Sequence, residues 1–215
     1  MNISSRLEKH FAVAAAAVAV AGAANAAIVT WNLNQVVGAT VDGLYVNVET
    51  GTTYASNNAD TNFAGWDINP FGVTGMGFYW SGAANGASAG VRLNTATGAQ
   101  GSQLSNLPVN FVIGSQLVGG SSGASFGSGS PSFTTTQPGK WNLNALNYFG
   151  FRFTNAAGQV RYGWGSMQVG ANSSTRTLVT VAYEDSGGSI LVGAVPAPGA
   201  IALLGLAGLL SRRRR

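Results

Sequence analysis

The sequence predicts an all-β protein: one β-sandwich or jelly-roll-like domain, flanked by an N-terminal signal helix and a C-terminal short hydrophobic helix. Three observations predict it. Apolar residues of the body alternate with a period of two, short Gly, Ser and Asn clusters punctuate them, and residues 27–194 show no helical repeat. The clearest alternation sets Phe149, Phe151 and Phe153 against Gly150, Arg152 and Thr154, which builds one apolar face. Asn155-Ala156-Ala157-Gly158 then reads as a turn, and residues 159–169 as the returning strand. In that strand Val160, Tyr162 and Trp164 share a parity that Met167 and Val169 break, so a bulge is expected at Gly163 or Gly165. Thr177, Val179, Val181 and Tyr183 alternate in a third strand. Earlier strands are expected at 44–49, 76–80, 91–93 and 109–113. Residues 114–131, rich in Gly and Ser, read as a surface loop or a weakly paired hairpin connection. Trp31-Asn32-Leu33-Asn34 recurs as Trp141-Asn142-Leu143-Asn144, but the flanks do not match, which favours coincidence over a duplicated half-domain.

Charge divides the chain into three parts. The net charge of +4 looks like a nucleic-acid signal until it is located. Arg6 and Lys9 against Glu8 leave +1 at the N-terminus, and Arg212, Arg213, Arg214 and Arg215 add +4 at the other end. Between them Arg92, Lys140, Arg152, Arg161 and Arg176 face Asp42, Glu49, Asp60, Asp67, Glu184 and Asp185, a balance of −1. A body without a basic face cannot release counterions from a phosphate backbone, so no nucleic-acid partner is expected.

Residues 1–26 read as a cleavable signal peptide. Arg6 and Lys9 form a positive start, residues 11–21 an unbroken apolar run, and Ala24-Asn25-Ala26 a small-x-small cleavage site. The run is too short to cross the ~30 Å hydrocarbon core comfortably. With no cysteine in the chain, packing alone must stabilise the exported domain of residues 27–194. Residues 195–215 form a second signal. Val195-Pro196-Ala197-Pro198 blocks helix propagation, residues 199–210 are wholly apolar, and Ser211 with four arginines closes the segment. The arginines act as a cytoplasmic stop, which leaves the body outside. As a helix the apolar run is only about 18 Å long, which suits a transient, processed membrane tail.

A Pro-x-Pro motif, a short apolar helix and a terminal Arg cluster resemble the PEP-CTERM sorting signal, also labelled an ice-binding protein C-terminal domain. Pro196, Ala197 and Pro198 match its motif, with alanine where the family has a central glutamate. The resemblance implies an exosortase-like processing enzyme as partner, and a destination in the cell envelope, on the surface or in an exopolysaccharide matrix. More loosely, Asp42-Gly43-Leu44-Tyr45-Val46-Asn47, Trp66-Asp67-Ile68-Asn69-Pro70, Tyr148-Phe149-Gly150-Phe151-Arg152-Phe153, Tyr162-Gly163-Trp164 and Ala182-Tyr183-Glu184-Asp185 resemble blocks of uncharacterised exported PEP-CTERM proteins. That likeness implies a shared β-domain and no activity.

Residue chemistry excludes most catalysis. The single histidine, His10, lies in the signal segment. Without imidazole or thiol the exported domain cannot run Ser-His-Asp or Cys-His chemistry, build a Cys/His zinc site or ligate haem through His. Two G-x-S-x-G matches, at residues 86–90 and 123–127, therefore lack the base of a nucleophile elbow. Lys140, following Pro138-Gly139, reads as a turn-exposed surface cation and a poor base. A glycosidase would need two facing carboxylates, with Glu49 or Glu184 pairing with Asp67 or Asp185, but these read as solvated loop and strand-end charges. No cofactor and no metal site is expected. Calcium is the one ion with ligands to hand, in Asn57-Asn58-Ala59-Asp60-Thr61-Asn62 and Asp67, and these lack the order of an EF-hand. Thr134-Thr135-Thr136 is too short for a regular ice-binding array. Five tryptophans and six tyrosines supply the one positive hint, a sugar-stacking surface, with Trp66 and Trp80 the best exposed candidates because both adjoin turn residues. The expected function is that of a non-catalytic surface or extracellular-matrix protein. The alternatives are a carbohydrate-binding lectin-like module and a carboxylate glycosidase.

Overall fold

A computed structural model describes residues 27–56, 63–81, 88–93, 103–118, 123–133 and 139–196. Among these there is no α-helix, one 3-10 turn at Ser115–Leu117, and a set of antiparallel strands: β1 (Ile28–Val36), β2 (Leu44–Val46), β3 (Thr53–Ala55), β4 (Ile68–Phe71), β5 (Gly77–Trp80), β6 (Ala89–Leu93), β7 (Val112–Ile113), β8 (Ala124–Gly127), β9 (Ala145–Thr154), β10 (Val160–Val169), β11 (Arg176–Glu184) and β12 (Ile190–Leu191). The all-β class is as the sequence predicts. Residues 1–26 and 197–215, with Ala24, Ala26, Ala197, Pro198 and Arg212 to Arg215, lie outside the described residues, as do Asn57 to Asn62 and Thr134 to Thr136. Among the described residues no helix is long and apolar enough to cross a membrane.

Six strands form a large sheet in the order β1-β11-β10-β9-β6-β8. Four form a small sheet, β3-β2-β4-β5, and β12 pairs with β7. Phe149, Phe151 and Phe153 point from β9 toward the small sheet, where Leu44, Val46, Ile68, Phe78 and Trp80 meet them in one buried cluster. The opposite face of the large sheet is buried too. Tyr162, Trp164, Ala182 and Val91 pack there with Ile113, Leu117, Ile190 and Val192.

Burial on both faces corrects the expected bulge. β10 pairs with β9 without a break from Val160↔Thr154 to Val169↔Ala145, so neither Gly163 nor Gly165 is an extra residue. Tyr162 and Trp164 face one layer and Met167 and Val169 the other, which is why their parities differ. The irregularity lies on β11, where Ser166 faces Thr180 and Met167 faces Leu178, leaving Val179 unmatched. The glycines have a packing role. Gly163 and Gly165 stand opposite Phe151 and Phe149. A Cβ on Gly163 would lie 2.5 Å from the Phe151 ring, and one on Gly165 would run into Phe149.

The two Trp-Asn-Leu-Asn copies share two local features, although residues 31–34 are strand and residues 142–144 an irregular turn. Asn34 and Asn144 both adopt left-handed backbone, at φ 49° and 52°. Each indole N–H donates to a backbone carbonyl at 3.0 Å, Trp31 to Val48 and Trp141 to Leu104. Their settings differ, since one sits inside β1 and the other leads into β9. The likeness stops at these two features, in keeping with coincidence rather than a duplicated half-domain.

A buried arginine ties the loops at one end. The Arg176 guanidinium donates to Gly75 O and Gly72 O at 2.6 Å and to Gly38 O and Ser173 O at 3.0 Å. Burial lowers its pKa, and the four carbonyl dipoles compensate the charge.

Candidate functional site

The termini of three small-sheet strands meet at one end of that sheet, because Val46 pairs with Ile68 and Ile68 with Trp80. The tip of the β9–β10 hairpin docks beside them. That tip is the predicted turn: Gly158 N–H donates to Asn155 O at 2.9 Å, and Gln159 N–H to Asn155 Oδ1 at 2.8 Å. Ala156 N–H, at the tip, donates to Glu49 Oε2 at 2.9 Å. Between hairpin and sheet lies a cleft of about 170 Å³, lined by Asn47, Glu49, Gly65, Trp66, Asp67, Ser81, Thr154, Asn155 and Ala156.

Asp67 forms the back of the cleft and is 6% exposed. Its main chain is held on both sides, by N–H to Val46 O at 2.8 Å and by Ser81 N–H on its carbonyl at 3.0 Å. Its carboxyl oxygen Oδ2 accepts from Val48 N–H at 2.9 Å. Burial pushes the carboxyl up from 3.8 to about 7, Val48 N–H opposes this, and the Glu49 charge adds to it. Trp66 is half-buried, with Tyr45 edge-on at 5.2 Å. Asn47 Oδ1 accepts from Thr50 N–H at 2.9 Å.

Trp80, the second candidate ligand contact, is a core residue. It is 5% exposed and stacks on Phe78 at 5.6 Å. It also borders a wider depression of about 390 Å³ with Tyr79, Ser128, Gly129 and Ser130. Met76, Phe78 and Trp80 share a parity and all are buried, while Tyr79 between them is 61% exposed. That alternation is the sequence signal that turn adjacency obscured. On the outer face of the small sheet Tyr79 stacks on Phe71 at 4.5 Å, and Tyr54 on Phe63 at 5.7 Å.

Several charges differ from expectation. Lys140 is 7% exposed and donates to Gln103 Oε1 at 2.6 Å, so it is no surface cation. Asp67 and Glu184 are buried rather than solvated. Glu184 Oε1 accepts from Ser186 N–H and Oγ–H at 2.9 and 2.6 Å, while Asp185 Oδ1 accepts from Ala27 N–H at 2.9 Å. Of the four carboxylates weighed, Glu49 and Asp67 share the cleft, and Glu184 and Asp185 lie outside it. The two G-x-S-x-G segments enter neighbouring strands, with Gly90 opposite Gly127, and neither makes a strand-to-helix turn among the described residues. No group of three or more His, Cys, Asp or Glu gathers for a metal among the described residues. Val195 and Pro196 are the described part of the sorting motif.

No family model, no curated protein and no solved structure matches this chain.

Proposed function

We propose that this chain is an exported, non-catalytic surface or extracellular-matrix protein. Residues 1–26 serve as a cleavable signal peptide, 27–194 as a β-sandwich of jelly-roll-like character, and 195–215 as a PEP-CTERM-like sorting and anchoring tail. An exosortase-like enzyme processes the tail, and the body associates with the envelope or an exopolysaccharide. The observation that carries this reading is the placement of charge: two cationic, apolar ends flank a body of net charge −1 that has no thiol and no imidazole. Deleting residues 195–215 tests it. The truncated chain is expected in the medium and the full chain with the cell envelope; identical distribution of the two would refute the anchor.

Carbohydrate binding is the second reading, favoured by a half-buried tryptophan beside amide and carboxyl groups in one cleft. The pair Glu49 and Asp67 also has the residue types of a glycosidase, with one carboxyl pushed toward neutrality. The non-catalytic reading predicts no release of reducing ends from any glycan. Release that disappears in Asp67→Asn would replace it with hydrolysis.

A further inference from the structure

We infer that the cleft between the β9–β10 hairpin and the small sheet receives one non-anionic sugar residue, its ring against Trp66 and its hydroxyls on Asp67, Glu49 and Asn47. This rests on the carbohydrate-binding reading and names its site and ligand class.

Asp67 points to a ligand first. The residue is almost wholly buried, yet among the described residues only one of its carboxyl oxygens, Oδ2, has a hydrogen-bond donor. Its other oxygen, Oδ1, is not a sealed atom: it is open to the cleft and free to bond a molecule that enters there. A sugar hydroxyl satisfies it in either protonation state, because it donates to a carboxylate and accepts from a carboxylic acid. A carboxyl poised near neutrality meets both demands at physiological pH.

Trp66 supplies the second requirement. A pyranose has an apolar C–H face and a polar rim, and the cleft sets an aromatic side chain beside Asn47, Ser81, Thr154 and Asn155. Size sets the third limit. The volume of about 170 Å³ falls below the roughly 300–1,000 Å³ of drug-sized sites and suits a single ring rather than a long chain segment.

Charge selects the class. Glu49 and Asp67 line the cleft and none of its lining residues is basic. A uronate or a sulfated sugar would bring a like charge beside these two carboxyl groups. A neutral hexose meets no such penalty, and an amino sugar gains attraction.

Calorimetric titration of the full-length chain with neutral oligosaccharides, chitosan oligosaccharides and an oligouronate tests the inference. Saturable binding is expected to a neutral or amine-bearing sugar and not to the oligouronate. Trp66→Ala should weaken it about tenfold or more, as for a buried aromatic anchor, and Asp67→Asn should weaken it several-fold. Trp66→Phe, which keeps a ring, should retain part of the affinity, and melting curves of each variant confirm folding. If Trp66→Ala does not fold, Trp66→Phe and Asp67→Asn decide: wild-type affinity in both overturns the site. Binding that survives the cleft variants and is lost in Tyr79→Ala overturns the site while leaving the carbohydrate reading in place. Preference for the oligouronate overturns the ligand class. No binding to any sugar removes both the inference and the reading beneath it.

Discussion

Trp80 and Trp66 belong to the same end of the small sheet and have opposite surroundings. Trp80 closes β5 with its ring on Phe78, facing the phenylalanines of β9, where it is sealed between two sheets. Trp66 precedes β4 and lines a cleft whose other side chains are mostly polar. The interior is built by side chains of one parity and is filled by rings packed over glycines. The cleft is built by strand ends and a hairpin tip, where parity no longer applies. Between the two sheets strand phase decides which rings are sealed, whereas the polar cleft collects where strands stop.

Where the interior depends on its ties, the contrast is easiest to break. Arg176→Ala removes the donors of four carbonyls in an enclosed setting, each worth about 1–3 kcal/mol when left unsatisfied, so the chain is expected to lose most of its stability. Arg176→Lys should rescue little, since a point charge cannot bridge carbonyls from four residues; urea unfolding of both variants checks this. Next comes Trp80→Ala, with an expected loss of about 3–5 kcal/mol by denaturant titration and unchanged sugar affinity in the fraction that remains folded.

Asp67 sharpens the comparison through pH. Its carboxyl titrates near 7 in the folded chain and at 3.8 when unfolded, so the folded state binds the proton more tightly. The resulting stabilisation is fully present below the unfolded value and is lost as pH rises through the folded one. The span is at most about 4 kcal/mol, with Glu49 supplying part of it. Asp67→Asn should match wild type near pH 4 and melt at a higher temperature near pH 8. Parallel melting curves across that range decide it. The smallest stability effect belongs to Trp66→Ala, about 1 kcal/mol for a half-buried ring, combined with the largest loss of sugar binding.

How much of this was legible in the sequence depends on locality. The meander of β9, β10 and β11 was legible because neighbouring strands join through short turns and carry a period of two. The strand at Ala124–Gly127 was hidden in a Gly/Ser-rich stretch, since its pairing with β6 is decided by a distant partner. Phase within β10 was misread as a bulge because a strand buried on both faces shows apolar residues in both parities. The cleft was the least legible feature. Glu49 and Asp67 were visible as isolated carboxylates, but the hairpin tip that approaches them, with Ala156 N–H on Glu49 Oε2, lies far along the chain. The burial of Lys140 and Glu184 is not legible in the sequence, because a buried polar head depends on partners such as Gln103 and Ser186 that spacing does not announce.

The most direct test of the account is N-terminal sequencing, with intact mass, of the chain recovered from fractionated producing cells. The recovered chain is expected to begin at Ala27 and to reside in the envelope or surrounding matrix. A chain that retains Met1 and stays in the cytoplasmic fraction would contradict it.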